Sequence, residues 1–133
     1  MKPFELLKDG WLYNLHFAEK GVTPLLAAQM PDTSRKTKHA KSHAGRAETV
    51  AWAFERPNGG RSFGFTGCDL HASWAVPDQR RMLVNALLWT AKLPVPAAGA
   101  ATDSPVDLAK NLDRKIFAPK AKKPAPVEKP ASN

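Results

Sequence analysis

The chain has 133 residues, 43% of them hydrophobic, and a formal net charge of +8. That length carries one domain rather than two, and that hydrophobic share excludes wholesale disorder. The single cysteine, Cys68, excludes an intramolecular disulfide, and no apolar run reaches the roughly 20 residues of a membrane-spanning helix.

The opening residues, MKPFELLKDGW, lack the apolar core of a signal peptide, and they assign no compartment. Asp9-Gly10 is a turn signal. Trp11, Tyr13, Leu15 and Phe17 then alternate with Leu12, Asn14 and His16, a period of two that predicts a strand. His16 falls on its less apolar face and reads as a surface histidine. Glu19 to Gly21 is a turn, and Thr23 to Met30 predicts a second strand. Pro24 suits the start or edge of that strand, because proline cannot donate to a ladder. From Pro31 to Ala47 the chain is a long polar loop carrying Arg35, Lys36, Lys38, Lys41 and Arg46. His39 and His43, four apart, could share a helix face as metal ligands. No glutamate stands between them as in HExxH and no third ligand is near, so no metal site is expected. The basic residues have no interleaved aromatics on which bases could stack. A solvated, mobile insertion between two strands is the expectation.

The strongest signals lie between Glu48 and Leu93. Val50, Trp52 and Phe54 alternate with Ala51 and Ala53, which predicts a strand over Glu48–Arg56. Pro57-Asn58-Gly59-Gly60 follows. Asn-Gly predicts a type I′ hairpin turn, both of whose central residues need positive φ. A second strand covers Arg61–Thr66, with Phe63 and Phe65 on one face and Gly64 opposite. A helix follows from Pro77 to Lys92, with proline in its first turn, Asp78 at its positive end and Lys92 at its negative end. Met82, Leu83, Val84, Ala86, Leu87, Leu88, Trp89 and Ala91 leave it a narrow polar stripe, so it reads as buried on more than one side. The expected core is Trp52, Phe54, Phe63, Phe65, Leu83, Leu87 and Trp89.

Between the hairpin and the helix runs the loop Gly67 to Trp74. It brings a carboxylate (Asp69), an imidazole (His71) and an indole (Trp74) within a few residues of one another. In open α/β sheets ligands sit at loops beyond strand ends. Asp69 and His71 could polarise one another for proton transfer. Trp74 offers the kind of apolar face on which sugar rings lie. The same residues also fit a structural loop in which Trp74 packs on the helix and Asp69 caps a turn. Cys68 has no basic neighbour except His71, and reads as a small buried thiol rather than a nucleophile. Gly59-Gly60 lacks the context of a phosphate-binding loop.

The series ERPNGGRSFGFTG, then an Asp-Leu-His-x-x-Trp loop, then RRMLVNALLWTAK resembles the C-terminal part of the trehalose-utilisation (ThuA-like) family. The likeness extends to Pro3-Phe4, to WLYNLHF and to VDLAKNLDRK, from about Met1 to Lys115. It implies an α/β fold: the C-terminal part of a flavodoxin-like, class I glutamine-amidotransferase-like sandwich, here antiparallel hairpin strands plus a buried helix. It implies that the N-terminal βαβ units are absent, that the chain is a fragment, and that an exposed apolar face could support self-association. It also implies sugar utilisation; His71 and Trp74 match the family's loop and are the expected principal ligand contacts, the loop's own chemistry adds Asp69 as a secondary one, and neither catalytic residue nor cofactor nor metal is named. Relatives often have glycine where Cys68 stands and a second histidine where Asp69 stands. That departure puts a two-histidine mechanism in doubt.

By this reading residues 1–96 form a partial ThuA-like domain. Residues 97–117 are a linker and a short helix capped at Asp103 or Ser104, and residues 118–133 are a disordered Lys/Pro/Ala tail. The positive charge comes largely from that tail and from the Lys36–Arg46 loop, so no specific nucleic-acid partner is expected. Three functions stay open: a sugar-metabolism protein, a non-catalytic carbohydrate-binding or interaction module, and a basic nucleic-acid binder.

Overall fold

The computed structural model describes residues 3–6 and 9–103. The short helix and the tail expected after Asp103 lie outside the described residues. Within them the chain is a mixed α/β unit, a three-stranded antiparallel sheet in the order β1-β2-β3 with one long helix. Strands β1 (Val22–Gln29), β2 (Ala47–Glu55) and β3 (Arg61–Phe65) are the second, third and fourth predicted strands. Pro24 sits on the edge strand β1, where the register shifts between Pro24 and Leu26, as a missing donor allows.

The hairpin joining β2 to β3 differs from the expected type I′ turn. Gly59 N–H donates to Arg56 O, and Arg56 N–H donates to Gly60 O, both at 2.8 Å. Only Gly59 takes a positive φ, +79°; Asn58 does not. Pro57 is the cause. Its ring holds φ negative, so Pro57-Asn58 fill an ordinary turn and Gly59 supplies the left-handed residue of a three-residue loop.

Pairing places Trp52 opposite Gly64 and Phe54 opposite Ser62, with Ala51 opposite Phe65 and Ala53 opposite Phe63 on the other face. The long helix α1 (Pro77–Thr90) packs on β3 and on the 3-10 turn His71–Ala75 before it. Arg61, which shares the Phe63 and Phe65 face by alternation, reaches it: the guanidinium lies 5.0 Å from the Trp89 ring and donates to Trp89 O at 3.2 Å. The C-terminus of α1 closes with Leu93 N–H on Leu88 O and Lys92 N–H on Trp89 O, Lys92 taking a φ of +60°. This is the Schellman arrangement with lysine at a position that favours glycine. The chain then folds back along α1, where Asn85 Oδ1 accepts the N–H of the buried Ala100.

Two further expectations are corrected. The alternation from Trp11 to Phe17 forms no strand. The segment is an extended strap laid across the sheet, with Trp11 edge-on to Phe65 and Phe17 edge-on to Trp52. The period of two records which side chains face the sheet, not a ladder. The core also differs. Val50, Ala51, Met82, Ala40 and Ala100 are buried, whereas Trp52, Phe54, Phe63, Phe65, Leu83 and Trp89 are only half-buried. Leu87 is 68% exposed, although α1 buries Gln79 and Met82.

Candidate ligand-binding loop and the adjoining cleft

The loop from Gly67 to Trp74 begins where β3 ends and leads into the 3-10 turn before α1. Its conformation is set at Cys68, whose φ of +74° is left-handed. The fully buried Gln79 braces it from α1, donating from Nε2 to Cys68 Sγ and Ser73 Oγ, both at 3.1 Å. Ser73 Oγ in turn donates to Leu70 O at 2.8 Å. Burial pushes the Cys68 thiol up, and the charge of Asp9 adds to this against a smaller opposing effect of Ser73. The thiol therefore stays protonated at neutral pH, consistent with the non-nucleophilic reading.

Asp69 is exposed, and Trp74 is 37% exposed. Arg80 holds the end of the loop, donating to Trp74 O at 2.6 Å and to Thr102 O at 3.3 Å. Asp69 and Trp74 thus stand on one braced loop with their polar and apolar groups accessible. The side chain of His71 lies outside the described part, so the expected Asp69–His71 pairing is not placed.

The sequence reading missed Asp9. It was legible as a turn residue, and Gly10 N–H does donate to its Oδ1 at 2.8 Å. Its carboxylate also accepts the N–H of Cys68 at 2.9 Å and of Leu70 at 3.1 Å. Behind Asp9 opens a cleft of about 710 Å³ between the strap and β1, walled by Phe4, Leu6, Trp11, Leu26, Met30 and Val50. Neither Asp69 nor Trp74 lines it. Its polar liners Asp9, Tyr13, Ser34 and Arg35 already bond to protein groups, Gln29 does not through its side chain, and most of the remaining lining is apolar.

The Pro31–Ala47 insertion is more structured than expected. Arg35 is 5% exposed and ties the insertion together, bonding to Asp32 and approaching the carbonyls of Ala40 and Arg46. A single helical turn, Lys38–Lys41, is capped by Thr37 Oγ1 on Ala40 N–H. His39 and His43 do share a side, with ring centroids 5.0 Å apart. Each Nδ1 has a protein partner: His39 Nδ1 pairs with Tyr13 OH at 3.0 Å, and His43 Nδ1 lies 2.9 Å from an Arg46 guanidinium nitrogen and 3.3 Å from Glu48 Oε1, accepting from the one or donating to the other according to its tautomer. Among the described residues no group of three or more His, Cys, Asp or Glu could hold a metal ion.

Glu48, buried beside His43, accepts the Asn14 N–H at 3.2 Å and so pins the strap to β2. Burial pushes the Glu48 carboxyl up. The Asn14 amide, the His43 ring and the Arg46 guanidinium together outweigh this and hold it below the usual carboxylate range. Arg35 thus serves internal contacts and is withdrawn from any external anion, whereas Arg46 bonds to His43 from an exposed position. No described helix is long and apolar enough to cross a membrane. Compared with protein-family models, with curated proteins and with solved structures, the chain matches none.

Proposed function

We propose that the chain is the C-terminal part of a ThuA-like protein of sugar utilisation, with a flavodoxin-like sandwich as its parent fold. Its loop Cys68–Trp74 binds a sugar-like ligand, with Trp74 and His71 as principal contacts and Asp69 secondary. The observation that carries this reading is the backbone at Cys68. Its φ of +74° is a conformation that favours glycine, and glycine is what the ThuA-like pattern often has there. A cysteine in a glycine's conformation fits a family loop whose shape outlasts its residue. An exposed tryptophan and an exposed carboxylate on one loop, braced from α1 by Gln79, offer the kinds of apolar face and polar group that a sugar needs.

The test is titration of the chain with trehalose and with glucose, followed by NMR at the Trp74 indole N–H and the loop amides. Saturable shifts confined to the loop and lost in Trp74→Phe and His71→Ala are expected. Absence of any saturable shift at tens of millimolar (a range set by weak ~−3 kcal/mol binding) rejects the sugar reading. Saturable binding with no sugar turned over favours a binding module over an enzyme.

A further inference from the structure

The dipeptide Asp9-Gly10 is fitted to the candidate loop at both residues. Asp9 Oδ2 accepts from Cys68 N–H at 2.9 Å, and Oδ1 accepts from Leu70 N–H at 3.1 Å, across 59 and 61 residues of chain. The left-handed Cys68 allows two amides of a tight loop to converge on one anion, as backbone nests do. An ionised acceptor makes such bonds shorter and stronger than a neutral one would. Between these two amides stands Asp69, and its side chain lies against Gly10. A Cβ at residue 10 would overlap the Asp69 carboxyl. Residue 9 therefore fixes the backbone on either side of Asp69, and residue 10 leaves the space that the Asp69 side chain occupies. The strap that delivers both is held further along by Asn14 N–H on Glu48 and by Phe17 on Trp52.

Resting on the sugar-binding reading of the loop, we propose that Asp9 is its positioning residue: its carboxylate holds Cys68 to Leu70 in the conformation that presents Asp69 and Trp74. Asp9 does not itself touch the ligand in this arrangement. Both of its oxygens are spent on loop and strap amides.

The experiment compares the full chain with Asp9→Asn and Asp9→Ala. Amide hydrogen exchange is read at Cys68 and Leu70, with Trp52 and Gly64 of the sheet, a paired position of the β2-β3 ladder, as internal controls. Asparagine keeps the shape but turns one acceptor into a donor, which then faces a donor. Alanine leaves a space that a small carboxylate can fill. Exchange at Cys68 and Leu70 should rise at least about tenfold in both variants, the equivalent of losing one modest hydrogen bond, with the sheet controls unchanged. Sodium formate should restore protection in Asp9→Ala but not in Asp9→Asn, and sodium chloride at equal ionic strength should restore neither. Unchanged exchange at Cys68 and Leu70 in Asp9→Ala overturns the proposal. So does an equal rise at the sheet controls, or recovery with chloride as great as with formate. The sugar reading is decided separately: a wild-type chain that takes up no trehalose while its loop amides behave as expected rejects that reading and leaves the positioning role standing.

Discussion

The indole of Trp52 lies over Gly64, its cross-strand partner, in the space where a side chain on residue 64 would begin. On its far side Phe17 meets the same indole edge-on at 5.1 Å. The missing side chain at 64 is thus a fitting surface for Trp52, and the pair forms one layer between β3 and the strap. An aromatic covering a strand glycine recovers packing that glycine alone forfeits.

Gly64→Ala should therefore destabilise the fold, although alanine is the better residue in an ordinary strand. The new methyl displaces the indole, and overpacking of this kind costs about 1–3 kcal/mol. Urea unfolding measures it. A variant as stable as wild type would show that Trp52 moves freely and that the strap is not packed on it.

At Cys68 the expected sign is the reverse. A left-handed backbone costs an ordinary residue about 1–2 kcal/mol. Cys68→Gly removes that strain but gives up the Gln79 contact to Sγ, while Gln79 keeps its bond to Ser73. The net expectation is a gain of roughly 0.5–1 kcal/mol, read as a raised thermal midpoint. Cys68→Val, β-branched in the same conformation, should lose more than Cys68→Gly gains. A loss of stability in Cys68→Gly would mean that the thiol contact outweighs the strain, and would weaken the link drawn to the family's glycine.

How much of this was legible depended on whether a signal is local. β2, β3 and α1 were readable to within a residue or two at most ends, because alternation, Pro57, Gly59, Pro77 and Pro94 act on the backbone beside them. The strap was misread because alternation reports a face and not a partner. Leu87 was misread because an all-round apolar helix does not say which of its sides the fold will cover. Asp9 was out of reach altogether. Nothing near residue 9 indicates that its carboxylate seats amides some sixty residues on. In the candidate loop Asp69 and Trp74 are exposed, and the support under them comes from Gln79, Ser73 and Asp9.

Lys92 gives a cleaner test of backbone strain than Cys68, because its side chain is exposed and no hydrogen bond of the described residues uses it. It occupies the left-handed position of the Schellman closure after α1. Lys92→Gly should raise stability by about 1 kcal/mol. Equal thermal midpoints would indicate that the helix end frays and that the closure contributes nothing.

Glu48 predicts how stability follows pH. Its carboxyl is held below the usual range in the folded chain, by the Asn14 amide, His43 and Arg46 against the opposing effect of burial. A folded-state pKa below the unfolded one means that the folded chain binds this proton less readily. The contribution is therefore fully present above the unfolded carboxylate value and disappears as pH falls through the lower folded value. Glu48→Gln keeps the length of the side chain and an acceptor for Asn14, but removes the charge. At neutral pH the variant should be less stable by about 1–3 kcal/mol, the range for a buried hydrogen bond to a charged group. The gap to wild type should stay level from neutral pH down to the ordinary carboxylate range, then shrink towards zero in more acidic solution. Other carboxylates titrate in both proteins and cancel in the difference. Parallel urea titrations of the two chains between about pH 7 and pH 3, a span that brackets the ordinary glutamate value, read the gap directly. A gap that stays constant to the acid end, or that widens there, would show that the Glu48 charge does not stabilise the junction of strap and sheet.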